Sequence, residues 1–110
     1  MKTLFALTTA ALALSTLATP SQAASFNCRS SALTYTERTI CDNPQLSRMD
    51  NTMSATYFGI IRTLRGAAKR DVQQDQVAWL GTRNGCGASV ACLAGEYDRH
   101  IADLRSFYAP

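Results

Sequence analysis

Histidine occurs once in this 110-residue chain, tryptophan once and proline three times, and charged residues make up only 17%. Each scarcity excludes something. A net charge of +3 is too small, and too little clustered, for nucleic-acid binding, which needs a concentrated basic surface. With 46% apolar residues the chain is no disordered tail either. The single histidine, His100, falls at the edge of an apolar helical stripe and reads as a surface or boundary residue rather than a general base, because a base needs an oriented partner. Glycine-rich phosphate loops, nucleophile elbows and zinc-protease helices are all missing, so no enzyme activity and no cofactor are expected. No run alternates apolar and polar residues over a useful length, which excludes strands as the main element.

Charge is also missing between Lys2 and Arg29. Lys2 is followed by Leu4-Phe5-Ala6-Leu7, Leu12-Ala13-Leu14 and Leu17-Ala18, then by Ser21-Gln22-Ala23. A basic start, an apolar centre and small residues three and one positions before a cut predict a signal peptide over residues 1–23. Cutting after Ala24 instead places Gln22 where a small side chain is needed and ranks second. Threonine, serine and proline interrupt the run, which argues against a retained membrane anchor. Ser25-Phe26-Asn27 before Cys28 is no lipobox, so no lipid anchor is expected. The expected product is residues 24–110, a soluble periplasmic or secreted domain of 87 residues, with no membrane attachment and a charge reduced to +2 by the loss of Lys2.

Export gives the four cysteines a role. A domain this small has a thin core, and an oxidising compartment lets Cys28, Cys41, Cys86 and Cys92 staple it. Three pairings are open and sequence alone does not decide among them. Cys28–Cys41 and Cys86–Cys92 are favoured because each pair is joined by a short segment that must turn anyway. Loop closure gives them roughly 3 and roughly 2.4 kcal/mol. Zinc is disfavoured, since neither spacing resembles Cys-x2-Cys.

The remaining residues read as helices. Thr34-Tyr35-Thr36-Glu37 has the form of a capping box and predicts a short helix ending near Cys41. Asp42-Asn43-Pro44 supplies a cap followed by proline at the first helical position. Leu46, Met49, Met53, Tyr57, Ile60 and Leu64 then recur at spacings of 3, 4, 4, 3 and 4, predicting a long amphipathic helix ending near Gly66. Asp71-Val72-Gln73-Gln74 is read as opening a third helix carrying Val77, Trp79 and Leu80 and stopping at Asn84-Gly85. Ser89 caps a last helix with Val90, Leu93, Tyr97, Ile101, Leu104 and Tyr108 on one stripe. The predicted fold is a small all-α antiparallel bundle of three to four helices stapled by two disulfides.

Met49 and Met53, one turn apart, could offer thioethers to copper(I), but both lie on the core stripe and are read as packing. Asp71 with Asp75 and Asp98 with Asp103 are read as solvated helix faces. Glu37, Asp50 and Arg99, with Trp79 and Arg83, lie beside or inside the apolar stripes. They are read as structural anchors, with Glu37 or Asp50 meeting Arg83 or Arg99 between helices.

Phe26-Asn27-Cys28, Thr36-Glu37-Arg38-Thr39-Ile40-Cys41, Leu46-Ser47-Arg48-Met49-Asp50 and Tyr57 form the first half of a pattern. The second half is Gln76-Val77-Ala78-Trp79-Leu80-Gly81-Thr82-Arg83-Asn84-Gly85-Cys86, followed by Cys92-Leu93-Ala94-Gly95-Glu96-Tyr97-Asp98-Arg99 and Leu104. Over residues 26–105 the chain resembles the LprI-like lysozyme-inhibitor family of small exported bacterial proteins. It departs in Met49, where that pattern usually reads leucine, and in lacking the lipobox of lipid-anchored members. The resemblance implies a helical, disulfide-bonded envelope protein that binds and inhibits lysozyme, a peptidoglycan hydrolase. Arg83, with Asn84 to Ser89, would be a cationic, stapled probe for the two carboxylates of the lysozyme cleft. Animal lysozymes are commonly basic, so a partner of net +2 gains no long-range attraction and must rely on local complementarity. The alternative is a periplasmic interaction or envelope-stress module with another protein partner and no lysozyme activity.

Overall fold

Thr34 starts the first helix by a reciprocal pair of bonds. Its hydroxyl accepts from the Glu37 amide at 3.1 Å, and the Glu37 carboxylate accepts from the Thr34 amide at 2.9 Å. The computed structural model describes residues 24–108, and the signal-peptide reading of residues 1–23 lies outside them. Four helices follow in order: α1 (Tyr35–Asp42), α2 (Pro44–Ile61), α3 (Gly66–Asn84) and α4 (Val90–Phe107). No strand occurs among the described residues, and the fold is a small all-α bundle. None of these helices is long and apolar enough to cross a membrane.

Caps fix the other boundaries. Asn43 accepts from the Leu46 amide at 3.0 Å with Pro44 opening α2, and Ser89 accepts from the Cys92 amide at 3.3 Å to open α4. The α2–α3 connection departs from the expected boundaries. α2 ends at Ile61, and α3 begins at Gly66 rather than near Asp71. Arg65 at the α3 N-cap makes no side-chain capping bond, so no cap motif marks this start in the sequence. Gly66 instead reverses the chain with φ of 60°, a value that a side chain disfavours.

α2 packs most extensively on α4, and α1 closes over α2. The core is Ile40 from α1, Leu46, Met53, Tyr57 and Ile60 from α2, Val72 and Trp79 from α3, and Leu93, Tyr97, Ile101 and Leu104 from α4. Each such side chain contributes about 1.5–3 kcal/mol on full burial. The buried face of α3 is Val72, Gln76, Trp79 and Arg83, a helical repeat that is half polar. Val77, expected on that face, is 70% exposed instead, because the true stripe passes one residue away from it. Val90 is likewise exposed, Leu93, Tyr97, Ile101 and Leu104 of the α4 stripe are buried, and Tyr108 is partly buried.

Cys28 is bonded to Cys41 and Cys86 to Cys92, with Cα separations of 5.7 and 5.6 Å, and no free cysteine remains. Two disulfides suit an oxidising, extracytoplasmic compartment. The first fastens the segment before α1 to the end of α1, and the second closes the α3–α4 turn, where Gly87 adopts φ of 58°. Two buried hydroxyls tie the pieces together. Thr36 donates to the Gly87 carbonyl at 2.9 Å, docking α1 on the stapled turn. Ser47 donates to the Ile40 carbonyl at 2.6 Å, joining α1 to α2.

Candidate functional site

Asp50 occupies the α2 stripe between Leu46 and Met53, a position the helical period turns fully inward, and it has no exposed surface. A carboxylate there must be hydrogen-bonded. The Tyr97 hydroxyl, from α4, donates to Oδ1 at 2.7 Å, and the Ser25 backbone amide donates to Oδ2 at 2.6 Å. Arg83, in the last turn of α3, supplies the opposite charge with Nη1 3.7 Å from Oδ1. Its Nη1 also lies 3.5 Å from the Tyr97 hydroxyl oxygen. The phenol therefore sits between the two charges, donating to one and accepting from the other. Arg83 Nε and Nη2 donate to Asn84 Oδ1 at 3.2 and 3.0 Å. The guanidinium carbon is 5.8 Å from the Phe26 ring centroid and 6.0 Å from that of Trp79, within cation–π range.

Burial, followed by the Asp50 charge and hydrogen bond, pushes the Tyr97 phenol well above its ordinary pKa of 10.0, and the opposing effect of Arg83 does not reverse this. Tyr97 is thus a fixed neutral donor. The cluster joins α2, α3, α4 and the segment before α1 through one carboxylate. Chemically it is a clamp, with its nucleophilic and cationic groups all engaged.

A second polar layer lies beside it. His100 stacks on Trp79 with ring centroids 4.0 Å apart and planes 6° apart. Its Nε2 lies 2.7 Å from Gln76 Oε1, an acceptor, so Nε2 carries the proton. Gln76 Nε2 in turn donates to Met53 Sδ at 3.1 Å. Burial lowers the His100 pKa from 6.5, opposed by the charges of Asp103, Asp75 and Glu96. The Trp79 indole Nε1–H is buried with no hydrogen-bond partner, the one such side-chain atom found among the described residues.

Two grooves reach these layers. A cleft of about 540 Å³ between α2 and α3 is lined by Phe26, Glu37, Tyr57, Phe58, Val77 and Arg83, among others. Another of about 540 Å³ runs between α3 and α4 beside Trp79 and His100. Both fall within the size range of ligand pockets, about 300–1,000 Å³. No group of three or more histidine, cysteine or carboxylate side chains among the described residues could hold a metal ion.

The structure sorts the residues singled out in the sequence. Asp50 and Arg83 face each other across the core, while Glu37 caps α1 and Arg99 pairs on the surface with Glu96 at 2.9 Å. Arg83 is only 5% exposed, so the cation expected as a probe points into the fold; Asn84 and Ser89, its companions, are exposed. Met53 packs in the core and Met49 lies partly buried against it. His100, expected at a boundary, is buried because Trp79 covers its face and Gln76 accepts its hydrogen bond. Tyr97 and Gln76 carried no polar signal in the sequence. Tyr97 read as an apolar stripe member, and Gln76 could be found only from its 3.6-residue register with Val72, Trp79 and Arg83.

These features define a small disulfide-stapled helical bundle built around a buried Asp–Tyr–Arg clamp. No family model matches the chain, and neither a curated protein nor a solved structure does so.

Proposed function

We propose that the chain is a periplasmic or secreted protein-binding module of the bacterial envelope whose partner is lysozyme, which it inhibits. The resemblance of residues 26–105 to the LprI-like family supplies the partner. The observation that supports a binding role is the allocation of polar groups. Asp50, Tyr97, Arg83, Gln76 and His100 are all committed to one another inside the bundle, whereas Tyr35, Phe58, Val77, Val90 and Phe107 are exposed. Such an arrangement spends its polar chemistry on rigidity and offers apolar and charged surface to a partner. Arg83 is then the anchor that holds α3, and inhibition comes from surface contacts rather than from a cation inserted into the lysozyme cleft.

Near-neutral charge favours the second reading, an interaction or envelope-stress module with a different protein partner, because it provides no long-range attraction to a basic enzyme. A lytic assay on peptidoglycan decides between them. Protection that rises with concentration and saturates near one chain per lysozyme is expected. Unimpeded lysis at large molar excess would sink the inhibitor reading.

A further inference from the structure

Carboxylates and aromatic rings line the groove between α3 and α4. Asp75 and Ala78 from α3 and Glu96, Asp103 and Phe107 from α4 line it, with Trp79 and His100 also in its lining. Among the described residues Arg99 is the only cation in the lining, and Glu96 holds it at 2.9 Å. His100 has its protonated form disfavoured by burial and adds no charge near neutral pH. Asp75 and Asp103, both exposed, are therefore left without a compensating cation in the groove. The Tyr108 hydroxyl donates to Asp75, and this bond with nearby negative charge pushes its phenol up to about 12. At the rim Phe107 is 75% exposed, a large aromatic surface.

The geometry points to this groove as the docking site for a lysine or arginine side chain presented by a basic protein. The inference rests on the reading of the chain as a protein-binding module and specifies its surface. An aliphatic stem can lie along Leu104 and Phe107 while its charged head reaches Asp75 and Asp103. Exposed aromatic faces attract the same cation. A net charge near zero does not oppose this. At physiological salt, charge is felt over about 8 Å, and within that distance the groove is acidic.

Trp79 is the only tryptophan, so its emission reports on the groove. The full chain, purified with its disulfides intact, is titrated with an octalysine peptide by fluorescence and with hen lysozyme by calorimetry. Saturable change in Trp79 emission with octalysine, and none with octaglutamate, is expected. The double substitution Asp75→Asn/Asp103→Asn should weaken both interactions at least tenfold, and Phe107→Ala severalfold, with helical circular dichroism unchanged. Asp42→Asn, on α1, should leave them intact. Equal binding by the Asp75/Asp103 variant, or no binding of octalysine, would overturn the proposal. Lysozyme inhibition that survives the double substitution would overturn the groove while sparing the inhibitor reading. Groove-dependent octalysine binding without lysozyme inhibition would do the reverse. Sedimentation as a dimer that the double substitution dissolves, with octalysine inert, would assign the groove to a second copy and also overturn it.

Discussion

Replacing Arg83 with alanine removes the cation paired with Asp50, a carboxylate with no exposed surface. At 3.7 Å and an effective dielectric of about 20, the lost attraction is about 4.5 kcal/mol. Breaking a buried pair from one side costs a similar amount, about 3–5 kcal/mol, since the remaining charge stays desolvated. The two direct hydrogen bonds to Asp50, from Tyr97 and Ser25, survive the substitution and hold the cost toward the lower end. Whole domains of this kind are stable by about 5–15 kcal/mol, so a large fraction is at stake. With a urea slope of about 1–1.5 kcal/mol/M, the unfolding midpoint should fall by at least about 2 M. Pairing Arg83→Ala with Asp50→Asn should recover part of the loss, because a neutral amide oxygen still accepts from Tyr97 and needs no cation, although its Nδ2 then faces the Ser25 amide. Urea melts of the four proteins in this cycle, followed by circular dichroism, supply the test. A midpoint within about 0.5 M of the parent for Arg83→Ala would refute the buried-pair reasoning, as would a double variant no better than the worse single one.

Two further perturbations test the polar layer and the register of α3. Because burial lowers the His100 pKa in the folded chain below 6.5, the unfolded chain takes up this proton first; stability should fall as pH drops through 6.5 and reach its full loss below the folded value. The facing groups are Gln76 and Asp75 from α3 and Glu96 and Asp103 from α4. Thermal melts between about pH 7.5 and 5 should show this slope, and His100→Gln should flatten it; an identical slope in the variant would exclude His100 as its source. Val77→Asp should shift stability by less than about 0.5 kcal/mol since Val77 is 70% exposed, whereas Val72→Ala, at 1% exposure, should cost about 2 kcal/mol. Urea melts compare the two, and the opposite ranking would mean that α3 is turned the other way.

Helix positions were readable where local chemistry sets them. Thr34 with Glu37, Asn43 with Pro44, and Ser89 act within a few residues of themselves, so their side chains mark α1, α2 and α4 before any fold exists. The start of α3 escaped because Arg65 makes no capping bond and Gly66 works through its backbone alone. The face of α3 escaped because two of its four buried residues are polar, and an apolar period cannot register Gln76 or Arg83.

The sequence alone determined an all-helical chain with two short-range cysteine pairs favoured over crossed ones, since caps, periodicity and chain proximity are local properties. Only the tertiary structure decided what the polar residues do. Arg83, Asp50 and Tyr97 lie 14 to 47 positions apart and acquire their roles when three helices bring them within hydrogen-bonding reach. Arg83 could have been a probe or an anchor. Burial made it an anchor, because a cation 5% exposed is held by the charge it faces and not by a partner it cannot touch.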